Sequence, residues 1–213
     1  MKKVNLLIAL LICFTASAQL DNTFGFKAGT NYSQFRPDIE FYGVKALDFQ
    51  GKIGYYVGGF FDIGISDKSS VRPELLFANQ GTKTSSEFYV EYVDQFKDPM
   101  VGEVVTKVNE LMILLPVNFR IELVELFNLE LGLQPGYALK RTEVFKKLPF
   151  DPSLEGEKET YSDFDEFDFG LNGGLGFDLT DRIELNLRYN YGLIERDNTI
   201  KTSVISLGLG FKI

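Results

Sequence analysis

The sequence contains no histidine and a single cysteine, Cys13. Imidazole acid–base chemistry and imidazole metal ligation are thereby excluded, and one thiol can form neither an intrachain disulfide nor a thiolate cluster. After the N-terminal segment, no stretch approaches the ~20 consecutive apolar residues that a transmembrane helix requires, so a membrane-spanning chain of this sequence must be a β-barrel. Positive charge is also short. The 22 Lys and Arg against 30 Asp and Glu leave a net charge of −8, which makes nucleic acid a poor partner.

What is present begins with a secretory pattern. Lys2 and Lys3 precede an apolar run from Val4 to Phe14, and Ala16-Ser17-Ala18 follows it. The run is too short to span a bilayer as a helix. Cys13 follows the bulky Ile12, which is unsuited to lipoprotein processing. Residues 1–18 are thus expected to be a cleaved signal peptide, and residues 19–213 one outer-membrane β-barrel domain. Loss of Lys2 and Lys3 takes the net charge from −8 to −10 and leaves no cysteine.

Eight segments of the remaining chain alternate strictly, with one parity apolar and the other polar or glycine. Phe24, Phe26 and Tyr32 oppose Lys27 and Asn31; Ile53, Tyr55, Val57 and Phe61 oppose Lys52, Gly54, Tyr56 and Asp62; Val71, Leu75 and Phe77 oppose Arg72, Glu74 and Leu76. Leu111, Ile113, Phe119 and Ile121 oppose Glu110, Met112 and Arg120; Phe127, Leu131, Tyr137 and Leu139 oppose Glu130, Gly132 and Lys140. Phe167, Leu171 and Phe177 oppose Asp168, Gly170 and Gly174; Leu187, Tyr189 and Tyr191 oppose Glu184, Arg188 and Asn190; Ile205, Leu209 and Phe211 oppose Ser206 and Gly210.

Segments of this kind run about ten to fourteen residues, longer than the usual soluble strand and long enough for a tilted membrane crossing. Short turns at Asp67-Lys68, Glu122 to Glu125 and Thr180-Asp181-Arg182 alternate with longer loops at 35–49, 82–107 and 142–165 and a shorter one at 194–200. The expected fold is an all-β, eight-stranded, antiparallel up-and-down transmembrane barrel, with turns and both termini in the periplasm and the longer loops outside. Pro73, Pro116 and Pro135 are expected at strand starts or bulges.

Periodicity alone does not say which face meets lipid, and a soluble, lipocalin-like lipid binder would reverse the faces. Glycines 132, 136, 170, 174, 176, 208 and 210 all lie on the polar face, where a narrow lumen rewards small side chains. The same face carries both charge signs. Lys27, Lys52, Arg72, Glu74, Glu110, Arg120, Glu130, Glu184 and Arg188 are expected to form an ion-pair network inside the lumen. Phe24, Tyr32, Phe119, Phe127, Tyr137, Phe167, Phe177, Tyr189, Tyr191 and Phe211 are expected as membrane-interface aromatics.

Several motifs resemble a family of outer-membrane barrels from Bacteroidetes, the PorT-like or porin-family barrel domain. The residues are Arg72-Pro73-Glu74-Leu75-Leu76-Phe77 followed by Gly81, Glu110 to Val117, Leu133-Gln134-Pro135-Gly136-Tyr137, Phe167-Asp168-Phe169-Gly170 with Gly174-Leu175-Gly176, and Arg188-Tyr189-Asn190-Tyr191-Gly192-Leu193. The terminal Phe211-Lys212-Ile213 departs from the family's terminal aromatic. The resemblance implies fold and location, and it leaves the activity open.

No serine has an evident base, so an enzyme is not expected, and no cofactor is implied. The acidic run from Asp151 to Asp168 offers Asp163, Asp165 and Glu166 as weak calcium candidates, although without EF-hand spacing. The expected role is structural or interactive, through the loops at 35–49, 82–107 and 142–165, with the lumen closed. A narrow porin-like channel and a PorT-like accessory part of a secretion system are the alternatives. The expected partners are outer-membrane lipid, the barrel-assembly machinery and a protein met through the loops.

Overall fold

The computed structural model describes residues 22–41, 44–90, 100–149, 151–197 and 199–213. The expected signal peptide lies outside the described residues. Strand follows strand: β1 (Thr23–Arg36), β2 (Ile39–Phe41), β3 (Val44–Gln50), β4 (Lys52–Ser66), β5 (Ser69–Val90), β6 (Met100–Leu114), β7 (Val117–Val124), β8 (Phe127–Lys147), β9 (Lys158–Tyr161), β10 (Phe167–Asp178), β11 (Ile183–Gly192) and β12 (Lys201–Lys212). A 3-10 turn, Pro152–Leu154, is capped by Asp151.

The wall closes on itself because β1 pairs with both β12 and β4. From β4 the antiparallel ladder continues through β5, then β6 with β7, then β8, β10, β11 and β12. Although β6 and β7 are separated by two residues, they form one wall strand. Leu76 faces Leu114 and Pro73 faces Val117, while Gly136 faces Leu114 and Leu133 faces Val117, so the register runs through residues 115 and 116 unshifted. The barrel therefore has eight strands and no free edge.

That continuity corrects the expectation for the prolines. None of the three starts a strand or sits at a bulge of the wall. Glu74 N donates to Pro116 O at 2.8 Å, and Leu115 N donates to Pro135 O at 2.9 Å. Each of these two prolines accepts where it cannot donate. A strand residue points its N–H and C=O to one side, so Pro116 costs a donor in the β5–β7 gap, Pro135 in the gap to β8, and Pro73 in the β4–β5 gap. No gap loses two, and the ladder survives.

The faces are oriented as a bilayer demands. Ile53 is 73% exposed and Leu131 58%, whereas Lys27, Arg72 and Glu130 are at 2% or less. The soluble alternative requires the reverse. Phe127 lies opposite Phe177, and Tyr137 lies opposite Phe167 on the same two strands. Ten residues of strand cover about 33 Å, or about 25 Å along the axis of a barrel tilted ~40°, which is the height of an apolar membrane band. Phe24, Phe119 and Phe211 lie with Phe127 and Phe177 toward the turn rim, and Tyr32, Tyr189 and Tyr191 lie with Tyr137 and Phe167 toward the loop rim. Nine are exposed on the outside, and Phe177 is half-buried, with its ring edge to face against Phe127.

The tight turns fall where expected, but three of the longer loops contain more strand than the alternation suggests. β5 and β6 remain paired from Leu76 and Leu114 up to Val90 and Met100, so most of 82–107 is a hairpin projecting beyond the aromatic level. β2 and β3 form a small hairpin within 35–49 that leans on β5 through Asp48, Phe49 and Gln50. In 142–165, β8 continues to Lys147 and β9 returns along it.

Candidate functional site

The interior is built in tiers. Nearest the turn rim, lumen-facing residues of six wall strands meet in one buried charge cluster. Arg188 holds Glu74 through two bonds, 2.7 and 2.9 Å, and reaches Glu130 at 2.7 Å. Lys27 Nζ lies 3.1 Å from Glu74. Arg72 spans Asp62 at 2.5 Å and Glu184 at 2.6 Å, with its guanidinium 4.0 Å from the centre of the Phe60 ring. Arg120 contacts Glu184 at 2.6 Å, Glu130 at 3.1 Å and Asp62 at 3.2 Å.

Lys27, Arg72, Arg120 and Arg188 thus balance Asp62, Glu74, Glu130 and Glu184, so the tier is neutral although almost wholly sealed from solvent. Such a network is tolerable only when its charges are met by opposite charges and hydrogen bonds, as here. Below it, a cavity of about 260 Å³ opens at the turn rim between Asp62, Lys68, Arg120 and Lys212.

Above the charges, Asn172 donates to Asn118 at 3.1 Å and accepts from Asn190 at 2.8 Å. Tyr56, Leu76, Ala78, Met112, Leu114 and Ala138 then close the lumen with an apolar layer. Tyr56 can lie across the wall because residue 208 is glycine: a Cβ there would stand 2.1 Å from the Tyr56 hydroxyl and 2.6 Å from Ala28 O. The void left at this level is about 20 Å³, room for about one water.

A second charge tier caps the apolar one. Glu110, fully buried, accepts from Arg196 at 2.9 Å through both oxygens and meets Arg141 at 2.6 Å. Arg141 continues to Asp197 at 2.6 Å, and Arg196 also donates to Asp165 O at 2.8 Å. Arg196 comes from the connection between β11 and β12 and reaches down into the barrel as a latch. Over it, Phe35, Phe49, Val108 and Ile200, with Ile39 and Leu47 against them, wall an apolar cup of about 360 Å³ at the loop rim.

Of the nine residues expected in one lumen network, Lys27, Arg72, Glu74, Arg120, Glu130, Glu184 and Arg188 meet in the lower tier. Glu110 belongs to the upper tier, separated by the apolar layer. Lys52 joins neither: its ammonium donates to Asn79 Oδ1 at 2.6 Å and to Gln80 O at 2.9 Å. It lies above the carboxylates because it sits at the loop end of β4.

The calcium candidates do not converge. Asp165 accepts from Asp197 N at 2.6 Å, Glu166 accepts from the Tyr137 hydroxyl, and Asp163 is exposed. No metal-holding group of three occurs among the described residues.

Asp62, Arg141, Arg196 and Asp197 were not among the expected lumen partners. Asp62 shares the parity of Lys52 and was legible. Arg141 was not, because the β6–β8 register shifts between Leu111 and Met112, where Lys140 and Ala138 are the successive partners. This bulge turns Arg141 inward and leaves Lys140, inward by strict alternation, exposed on the outside.

The model of the outer membrane protein beta-barrel domain family matches residues 17–198. No curated relative matches the chain. Among solved structures, the fold is similar to Neisserial surface protein A (NspA), with TM-score 0.53 and 12% identity over 91% of this chain and 100% of that one. It is also similar to Ail, the attachment invasion locus protein of Yersinia pestis, in its complex with the heparin analogue sucrose octasulfate, with TM-score 0.50 and 13% identity over 91% of this chain and 100% of that one. At these identities the likeness is one of fold. The chain belongs to the outer membrane protein beta-barrel domain family, which places it in the outer membrane.

Proposed function

We propose that this protein is a closed barrel that anchors an interaction surface at its loop rim. The observation that carries the reading is the blocked lumen. Mouth cavities of about 260 and 360 Å³ are separated by two charge tiers with an apolar tier between them, where a void of about 20 Å³ is left. A hydrated ion cannot pass such a layer without dismantling it. The chain's investment lies instead above the membrane, where the β5–β6 hairpin, the β2–β3 hairpin and β9 project from the wall.

In this reading the turn rim and both termini face the periplasm, lipid and the barrel-assembly machinery are the obligatory partners, and a protein or surface polymer meets the loops. No catalytic step is assigned, since the carboxylates of both charge tiers are committed to guanidinium or ammonium partners. The Arg72 to Phe77, Glu110 to Val117 and Leu133 to Tyr137 motifs support a PorT-like barrel of Bacteroidetes within the broader family.

Planar-bilayer recording of the purified, refolded protein tests the reading, with the heat-dependent gel-mobility shift as the check on folding. A silent bilayer is expected. Stable single-channel steps, altered by Arg120→Ala, would replace this reading with the narrow channel. For orientation, an impermeant maleimide should label Glu157→Cys on intact cells and Asp67→Cys only after permeabilisation.

A further inference from the structure

The cup at the loop rim has the form of a ligand site, and we infer that it binds a small molecule with an apolar or aromatic body and a primary-amine head, seated with the amine against Glu143. The inference goes beyond the anchoring role, and from that reading it needs only that the loop rim be open to solvent.

The body of the ligand is specified by the walls. Phe35, Phe49, Val108 and Ile200 are buried against one another, with Ile39 and Leu47 as a roof from the β2–β3 hairpin. The Phe35 and Phe49 rings meet edge to face, 6.0 Å between centroids. A cup of about 360 Å³ lies within the size range of small-molecule sites, and it sets an apolar wall beside polar and charged groups, among them Thr84, Thr106, Arg141, Glu143 and Asp197. The floor is the Arg141–Glu110–Arg196 tier, in which both arginines pair with the one buried carboxylate.

The head is specified by which charges in the cup are already satisfied. Arg141 is held between Glu110 and Asp197, with its face 4.5 Å from the Phe164 ring centroid, so among the described residues that line the cup no cation is left to receive an acid. Glu143 is different. It lines the cup half-buried, and no lysine or arginine among the described residues forms an ion pair with it. The groups around it are the Tyr161 hydroxyl, the Glu159 carboxylate opposite it on β9, Asp197, and Arg141 two residues before it. Burial raises its carboxyl above the ordinary carboxylate range, against the pull of Arg141. A half-buried carboxylate held beside two others gains most from an ammonium, through charge-assisted hydrogen bonds.

The test uses protein in nanodiscs of phosphatidylcholine, where both rims are open whatever the orientation in the cell. Three probes share one body and differ in the head: fluorophenethylamine, fluorophenylethanol and fluorophenylacetate, followed by fluorine NMR against empty nanodiscs. The amine is expected to bind about tenfold more tightly than the alcohol, with the acid weakest. Glu143→Gln should erase the difference between amine and alcohol while retaining the alcohol's affinity, and Ile200→Trp should abolish binding of all three by filling the cup. If Ile200→Trp loses the heat-dependent mobility shift, Thr106→Trp serves instead. Equal affinity for the three heads, an amine preference that survives Glu143→Gln, or no binding above empty nanodiscs would overturn the inference. None of these results bears on conductance, so the two readings fail separately.

Discussion

Arg188 and Glu74 are 114 residues apart in sequence, yet they form a two-bonded pair at 2.7 and 2.9 Å with both side chains almost fully removed from solvent. Closure of the barrel puts them opposite each other. Removing one partner leaves the buried tier with an unbalanced charge, whereas removing both keeps it neutral, although Lys27 then loses its carboxylate and Glu130 one of its guanidinium partners. Arg188→Met should therefore cost about 3–5 kcal/mol, and Glu74→Gln with Arg188→Met should recover part of that loss. Urea unfolding of the protein in lipid vesicles measures both. A double variant whose loss equals the sum of the Arg188→Met and Glu74→Gln losses would show that the pair is not coupled.

The wall faces hydrocarbon at the level of Leu133, midway between the Phe127 and Tyr137 levels of β8. Leu133→Arg is expected to cost about 2–4 kcal/mol, and Leu123→Arg near the turn rim about 1 kcal/mol or less. The same unfolding assay reads the depth dependence. Similar costs at the two positions would place the band elsewhere.

Pro135 occupies a place in the ladder where an N–H would meet Leu115 O. In Pro135→Ala the new amide should be strongly protected in hydrogen exchange, on a par with its neighbours in β8, with stability changed by about 1 kcal/mol or less as the gained bond offsets the lost chain stiffness. Rapid exchange of that new amide would mean that the strand is interrupted there.

Arg196 ties the β11–β12 connection to Glu110. Arg196→Ala should make residues 193–199 a site of limited proteolysis while the bilayer record stays silent, because Met112, Leu114, Leu76 and Tyr56 still fill the lumen beneath. Appearance of conductance in this variant would show that the latch, not the apolar tier, closes the barrel.

Much of this architecture was legible in the alternation of residues. In β1, Phe26 and Lys27 already declare opposite faces, and so do Leu187 and Arg188 in β11. Such patterns persist wherever one side of the wall is wet or charged and the other meets lipid. The signal fades above the membrane, where Thr82 to Ser86 and Glu103 to Asn109 mix polar and apolar residues without a strict period, so the paired β5–β6 extension resembles a loop in sequence.

The apolar lumen layer was hidden for a different reason. Tyr56, Leu76, Met112 and Leu114 share parity with the charges, and only the three-dimensional register shows that they fall at one height. Arg141 was hidden by a bulge, and Arg196 by a connection too short to have a period. What the sequence could not carry was which charge meets which, since those pairings depend on closure of the whole ring.

The central claim is an apolar wall in lipid around a sealed, charged interior, and single-cysteine labelling tests it most directly, because Cys13 is the chain's only native thiol. With Cys13 absent, Leu131→Cys should react with a lipid-soluble maleimide and not with a water-soluble one, Glu157→Cys with the water-soluble reagent, and Asn172→Cys, at 0% exposure in the lumen, with neither. Water-soluble labelling of Asn172→Cys as fast as that of Glu157→Cys, or of Leu131→Cys at all, would contradict it.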